Sequence, residues 1–239
     1  MTPKQLFQKG LLAEAIQTLG AELRDNPTDV QRRTFLFELL CFTGEWDRAE
    51  KHLNVLAGST KEAGAGAVLY LSALHATRLR EEKFGDTSNM EESHAPGRAG
   101  AMNGRQFHSI DDIHPALGPR LEVFAAGSYV WIPFEHIASI QMEAPRRLRD
   151  TLWAPAMVRT APSFKDKELG EVLIPVLYPG SWRSANPDIQ LGRVTEWVDD
   201  LPVGQKMLQL DDEEVPLLEI RDLQFTDLQS TSDAQTAAA

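Results

Sequence analysis

The strongest constraint on the fold is a segment that occurs twice near the N-terminus. The stretch "GLLAEAIQTL" at residues 10–19 is matched 34 residues later by "GEWDRAEKHL" at residues 44–53, with a glycine, an alanine and a leucine at equivalent positions. A period of 34 residues is typical of tetratricopeptide helix pairs. The glycine permits a sharp turn, and the alanine lets the next helix approach its neighbour closely. We therefore predict two stacked helix hairpins.

Apolar spacing extends the helical prediction over residues 3–82. Apolar residues recur there mostly at steps of three and four, which predicts about five helices. The dipeptide Asn26-Pro27 interrupts the pattern between the two copies, because a proline disfavours helix in the residue before it. Residues 1–84 are thus predicted to form a TPR-like helical domain.

The composition changes after this region. Residues 85–106 are rich in glycine, serine, asparagine and methionine and show no periodicity, which predicts a flexible linker. Residues 107–225 are predicted to form a β-rich α+β domain. Residues 226–239 are polar and alanine-rich and are predicted to be a disordered tail.

Period-two patterns in the second domain predict an antiparallel sheet. Strands at 121–126 and 128–134 flank Gly127 as a hairpin, and a strand at 136–143 continues them as a meander. The segment "PRRLRDTLW" at 145–153 begins with a proline suited to a first helical turn and predicts one short helix. The predicted fold class is α+β, with a TPR-like helical repeat followed by a small, curled antiparallel domain.

Charge and cysteine content exclude several classes of function. The formal net charge is −11, and from Glu196 onward eleven acidic residues face two basic ones, a net charge of −9. Nucleic-acid binding is disfavoured, because that affinity comes from clustered lysine and arginine. No apolar run is long enough for secretion or for a membrane span. The single cysteine, Cys41, cannot form an intramolecular disulfide, so a cytoplasmic protein is expected.

One local cluster resembles a metal site. His108, Asp111, Asp112 and His114 lie within seven residues, and imidazole with carboxylate can ligate zinc. The alternative is a surface turn in which an aspartate caps backbone amides. We favour the turn, because the cluster lacks the spaced ligands of known sites. With no nucleophile elbow or phosphate-binding loop in the sequence, we expect neither metal nor cofactor, and a metal-dependent hydrolase is the least favoured function.

The densest basic cluster comprises Arg146, Arg147 and Arg149, close to Glu143 and Asp150. Guanidinium groups suit carboxylate or phosphate, so the cluster could bind an anion. The alternative is a network of local ion pairs that ties the short helix to the sheet or to the repeats. We favour the local network, because surface arginines near acids commonly pair with them.

Three aromatic residues are candidates for contacts with a partner. Trp46 follows the turn glycine of the second repeat, where a large side chain would wedge between helix pairs. Phe35 and Phe37 lie on opposite sides of one helix, so one of them is a candidate to line a groove. The candidate partner-binding residues are Phe35, Phe37, Trp46, Arg146 and Arg149.

Two segments carry a family resemblance. "YVWIPFEHI" at 129–137 and "APRRLRDTLWAPA" at 144–156 resemble the ImpE/TagJ family, also called the SciE-type accessory proteins of bacterial type VI secretion. The resemblance covers nearly the whole chain outside 85–105 and the tail. The residues of the second segment that match the family pattern are Pro145, Arg146, Leu148, Arg149, Asp150, Leu152 and Trp153.

The resemblance implies a non-enzymatic cytoplasmic protein. Its implied partner is a helix of the small subunit of the contractile sheath, and its implied role is in sheath assembly or in recycling linked to the ClpV ATPase. A TPR-like scaffold for another cytoplasmic complex is the alternative.

The repeat itself favours a helical ligand. Stacked helix pairs form a curved array whose inner face can accept an amphipathic helix. Two copies are too few to be stable alone, so we expect the C-terminal domain to cover one end of the array.

Overall fold

The chain begins with five α-helices. The computed structural model describes residues 1–58, 61–85, 97–162, 164 and 169–226, and for 61–63 the backbone alone. The helices are α1 (Pro3–Gln8), α2 (Leu12–Asp25), α3 (Val30–Phe42), α4 (Trp46–Ala57) and α5 (Lys61–Gly85). The five predicted helices are confirmed. Within the described ranges, no helix combines the length and apolar character needed to cross a bilayer.

The two copies of the repeat occupy equivalent structural positions. Gly10 lies between α1 and α2 with φ of +75°, and Gly44 lies between α3 and α4 with φ of +72°. This left-handed conformation is one that glycine adopts readily. Ala15 and Ala49 are both completely buried. The helix-hairpin repeat therefore has a 34-residue register, while its assignment to the tetratricopeptide class stays a prediction.

Helix α3 lies at the centre of the helical region. It packs between α2 and α4, and residues 36–42 are all buried. An amphipathic surface helix would bury only one side. Since α3 is covered on opposite sides, a second layer must lie over the face that α2 and α4 leave free. That layer is a β-sheet.

The described residues of the C-terminal part form thirteen strands in three antiparallel sheets. The largest has the order β2-β1-β13-β6-β7-β8-β4-β5, the second has the order β12-β11-β3, and the third pairs β9 with β10. The antiparallel α+β class is confirmed. The strands are β1 (Gly100–Met102), β2 (Arg105–Phe107), β3 (Ile110–Asp112), β4 (Arg120–Ala125), β5 (Ser128–Pro133), β6 (Ile137–Met142), β7 (Trp153–Thr160), β8 (Gly170–Pro175), β9 (Thr195–Val198), β10 (Leu201–Gly204), β11 (Met207–Leu210), β12 (Glu213–Pro216) and β13 (Asp222–Phe225).

The predicted hairpin forms, but the meander is wrong. Strands β4 and β5 pair around a turn at Ala126 and Gly127, both of which have positive φ. Strand β5 then lies at the sheet edge, and β6 pairs with β7 and β13 instead. The buried guanidinium of Arg98 donates to the carbonyls of Phe134 and Ile137, at the 3-10 turn between β5 and β6. These contacts hold the turn where the chain changes partners.

The linker prediction over 85–106 is wrong for its last residues. Strand β1 lies between β2 and β13 in the large sheet. A side chain at Gly100 would overlap the carbonyl oxygen of Gln224, so this glycine allows close strand pairing rather than flexibility. Residues 86–96 lie outside the described residues, as does the predicted tail beyond Thr226.

The short helix predicted over 145–153 is also wrong in extent. Only Leu148–Thr151 is helical, as a 3-10 turn, and strand β7 begins at Trp153. The strand was not predicted because Pro155 interrupts its pattern, and prolines are rare in central strands. A four-residue helix, α6 (Pro187–Gln190), follows β8.

The alternation along β7 shows how the large sheet divides two cores. Ala154, Ala156 and Val158 face the core that the large sheet shares with the three-stranded sheet. Trp153 faces the opposite side and belongs to the core shared with the helices. Met157 faces that same side but is exposed, so the helices cover only part of the sheet.

The turn glycine of the second repeat provides a test of the packing. A Cβ atom at Gly44 would overlap the indole ring of Trp182, and the backbone there has positive φ. We expect Gly44→Ala to lower the free energy of unfolding by more than about 1 kcal/mol. Gly20→Ala is the matched control, because nothing lies within 4 Å of an added methyl in α2. Gly20→Ala should be neutral or stabilise by up to about 1 kcal/mol in urea titrations. Equal midpoints for both variants would contradict this packing.

Candidate functional site

A buried network of charges joins the helices to the sheet. Arg80 of α5 makes two hydrogen bonds to Glu122 of β4, with distances of 2.7 and 2.8 Å. The ammonium of Lys206 contacts Glu122 and also Asp112, the latter at 2.7 Å. All four side chains are nearly inaccessible to solvent. Two cations and two anions thus balance in a low-dielectric site.

The environment of Glu122 keeps it ionised. Burial alone would raise its pKa, but the charges and hydrogen bonds of Arg80 and Lys206 outweigh burial and hold the pKa well below the usual range. The hydroxyl of Tyr129 donates to Glu122, and the indole N–H of Trp131 donates to that hydroxyl. Burial and the nearby carboxylate raise the pKa of Tyr129. Glu122 and Tyr129 thus have their charges and hydrogen bonds satisfied within the chain, as expected for buried groups with a structural role.

The predicted cluster of histidines and aspartates does not converge on a metal position. The carboxylate of Asp112 pairs with Lys206 and accepts a hydrogen bond of 2.9 Å from the Tyr178 hydroxyl. His108 is almost fully exposed, and its backbone N–H donates to Asp211. Across the part of the chain that the structure describes, no group of three or more His, Cys, Asp or Glu could hold a metal ion.

His114 is buried in a neutral form. Its Nδ1 accepts a hydrogen bond of 3.2 Å from the backbone N–H of Ala116, and its ring packs edge-on against Phe84. Burial lowers the pKa of His114 to about 4, although the nearby Asp112 acts in the opposite direction. His114 is therefore part of the packing between α5 and the β-rich part.

Two of the aromatic candidates lie at the interface between the helices and the C-terminal part, where Trp182 belongs to a 3-10 turn. Phe37 is 1% exposed and packs against Trp153 with 6.4 Å between ring centroids. Trp46 packs edge-on against Trp182 at 5.3 Å. The face of the helical array that was predicted to receive a partner's helix is therefore occupied by this chain's own side chains. We do not propose Phe37 or Trp46 as partner contacts.

Phe35 lies away from that interface. It is partly buried and packs edge-on against Phe7 of α1, with 5.6 Å between ring centroids. Phe35 and Phe37 thus pack on different neighbours, as their spacing predicts.

The arginine cluster divides into an internal and an external part. Arg149 makes a 2.8 Å ion pair with the buried Glu38 of α3 and stacks over the ring of Tyr70. Arg146 is exposed and pairs with Glu143 at 2.5 Å. The local network that we favoured therefore accounts for Arg149, while Arg146 stays at the surface.

An apolar groove lies where the helices cease to cover the sheet. Its volume is about 760 Å³. Across β7, β8 and β4, the register aligns Pro155, Leu173 and Phe124 as an apolar row. Leu69 of α5 also lines the groove, and the exposed Met157 lies two residues further along β7 than Pro155. We call this feature the sheet groove.

Neither the charged network nor the sheet groove was predicted from the sequence. The charge of Glu122 inside the apolar strand "LEVFAA" was the available signal for the network, because an acid in such a position needs a buried partner. The groove depends on β7, which was not predicted. Without that strand, Met157 could not be recognised as an apolar side chain on an exposed face of the sheet.

The network gives a prediction about stability. Glu122→Gln removes one anion and leaves Arg80 and Lys206 facing Asp112 alone. We expect it to lower the free energy of unfolding by about 3–5 kcal/mol, the usual cost of an uncompensated buried charge. Glu143→Gln, which breaks an exposed pair, is the control and should leave the urea midpoint nearly unchanged. Equal effects would show that the network does not hold the fold together.

His114 gives a prediction about pH. Its pKa is lower in the folded chain than in the unfolded chain, so the unfolded chain takes up a proton first as the pH falls below about 6.5. Between pH 6.5 and 4, this residue should reduce stability by up to about 1.4 kcal/mol per pH unit. His114→Asn keeps an acceptor for Ala116 and should flatten the dependence of urea midpoint on pH. Identical slopes in both proteins would contradict a buried neutral His114.

Comparisons with known proteins agree with this architecture. A crystal structure of protein VPA1032 from Vibrio parahaemolyticus superposes with a TM-score of 0.80 over 96% of this chain and 99% of that chain. The sequence identity is 20%, so this likeness shows the fold alone.

The sequence comparisons reach further. The chain is 30% identical over 260 residues to the type VI secretion system accessory component TagJ of Pseudomonas aeruginosa strain PAO1. The alignment covers 94% of this chain and 91% of that protein. The ImpE protein family matches residues 104–224, which include both segments that carried the resemblance. On these grounds the chain belongs to the ImpE protein family.

Proposed function

We propose that this protein is an accessory component of a type VI secretion system. In this proposal it binds a helical segment of the small sheath subunit in the cytoplasm and assists sheath assembly or recycling linked to the ClpV ATPase. The observation that carries the proposal is the similarity to TagJ along 94% of the chain. A match over this length includes the helices and the sheet, so it relates whole proteins rather than one shared module.

The placement of reactive groups supports binding rather than catalysis. The carboxylate of Asp112 is neutralised by Lys206, and His114 is buried within the packing. The thiol of Cys41 is also buried, and burial raises its pKa well above the usual range. A buried thiol with a raised pKa is a poor nucleophile. The proposed role is therefore non-enzymatic and requires no cofactor.

The packing of the helical face favours a different docking site for the proposed partner. The hollow of the helices is filled by Trp153 and Trp182, so a helix cannot dock there without separating the helices from the sheet. The sheet groove exposes Leu69, Pro155 and Met157 outside that packing, so docking there does not require such a separation. We therefore propose the same partner but place its docking site on the surface of the sheet instead of on the helical repeat.

The direct test is reconstitution of the complex. The purified chain should co-elute with the small sheath subunit in size-exclusion chromatography. Removal of the subunit's terminal helix should abolish co-elution, because that helix is the proposed ligand. A subunit of the same length with the helix residues in scrambled order is the matched control and should fail to bind. No complex with the intact subunit would overturn the proposal, and a complex that persists without the helix would favour a general scaffold.

A further inference from the structure

The position of the sheet groove restricts the kind of segment that it can bind. Its floor is formed by β13, β6, β7, β8 and β4, none of which is an edge strand of the large sheet. The backbone groups of these strands are already paired with neighbouring strands. A ligand therefore cannot add a strand to this floor and must bind through its side chains. An α-helix can do so, because its own backbone hydrogen bonds are satisfied internally.

The apolar side chains of the groove set the character of the ligand's contact face. Pro155 is exposed on the floor of the groove, Leu173 and Phe124 of the same row are buried beneath its surface, and Leu69 lies beside it on α5. Leu69 is 48% exposed and Met157 is 37% exposed, so large apolar side chains are left uncovered on two different elements. An apolar stripe along one side of a helix would cover both. Aliphatic and methionine side chains suit such a contact, since methionine adapts to different shapes.

The charges around the groove favour basic residues on either side of the ligand's contact face. A row across β13, β6, β7 and β8 aligns Asp222, Gln141, Met157 and Glu171, so a carboxylate lies at each end of the row. Glu143 also lines the groove. These three acids select lysine or arginine on either side of an apolar stripe.

The basic groups nearby do not cancel this preference. Among the described residues that line the groove, Arg221 is the one basic residue, and its guanidinium donates to the backbone carbonyls of Leu218 and Ile220. Arg146 pairs with Glu143, but both side chains are more than three-quarters exposed. An exposed pair of this kind is weak, so a cation on the ligand can compete for Glu143.

We propose that the sheet groove binds an amphipathic α-helix whose apolar stripe is flanked by lysine or arginine. The inference rests on the proposed function, in that the helix is taken to be the helical segment of the partner. Leu69 and Met157 contact the apolar stripe from two sides, and Glu171 and Asp222 pair with the basic flanks. The helical repeat contributes one wall of the site, through α5, rather than the whole groove.

Binding measurements on the full-length protein test the site. The first probe is the fluorescein-labelled terminal helix of the small sheath subunit, and the readout is fluorescence anisotropy. Met157→Glu and Leu69→Glu should each weaken binding about tenfold or more, because a charge is placed in the apolar contact. Val55→Glu is the matched control, since Val55 is 53% exposed on α4 and lies outside the groove. Val55→Glu should bind within about twofold of the wild type. Far-UV circular dichroism and urea midpoints verify that every variant folds.

A second probe separates the groove from the identity of the partner. It is a synthetic 18-residue helix of leucine and lysine, compared with a leucine and glutamate peptide of the same pattern. The lysine peptide should bind the wild type, and Met157→Glu should weaken it. That loss cannot be electrostatic, because an added negative charge would strengthen non-specific attraction to a basic peptide. The glutamate peptide should bind at least tenfold more weakly than the lysine peptide.

The outcomes distinguish the two proposals. If the sheath helix binds and all variants retain wild-type affinity, the groove inference is wrong and the proposed function stands. If the sheath helix does not bind but the lysine peptide binds through Met157, the groove stands and the proposed partner is wrong. A further variant, Trp197→Glu, probes an exposed apolar side chain on β9. Loss of binding in that variant alone would place the helix on the β9–β10 hairpin and overturn the inference.

Discussion

The buried pairing of Arg80 with Glu122 is the interaction on which the rest of the structure depends. It joins the last helix to a strand of the large sheet, and Lys206 extends it to Asp112 in the three-stranded sheet. Charges in such surroundings are tolerated only when each has its partner. The network therefore fixes the position of α5 on the sheet and brings all three layers into one unit. The helices of the 34-residue repeat share their core with the sheet, and this packing covers their inner face.

This arrangement decides which surface is left for a partner. The indoles of Trp153 and Trp182 fill the helical face, so the usual binding surface of a helical repeat is used for internal packing. Because five helices are too few to cover an eight-stranded sheet, part of that sheet stays open beside α5. The exposed apolar side chains of the sheet groove follow from this incomplete cover. In the proposed function, the partner's helix therefore binds at the junction of the helices and the sheet.

The sequence determines the helical half more plainly than the sheet. Gly10 and Gly44 mark the repeat, because the turn at each position requires a positive φ, which glycine adopts readily. Their 34-residue spacing is therefore visible in the sequence. Gly100 was interpreted as part of a linker, although the close approach of Gln224 is what requires it. Strand β7 was missed because of Pro155. The charged partners of Glu122 could not be predicted, since Arg80 and Lys206 lie far from it in the sequence and only the fold brings them together. For the same reason, Phe37 was a candidate for a partner contact although Trp153 covers it.

The measurement that tests the central claim most directly is native-state hydrogen exchange, resolved by peptide and followed in low concentrations of urea. If the ion network makes one folding unit, the slowest amides of α3, β4 and β7 should exchange through the same global opening, with equal free energies and equal dependence on urea. The account would be contradicted if the amides of α3 exchanged through a separate opening of lower free energy while those of β4 and β7 stayed protected. In that case the helices would detach from the sheet on their own, and their inner face would be available to a partner.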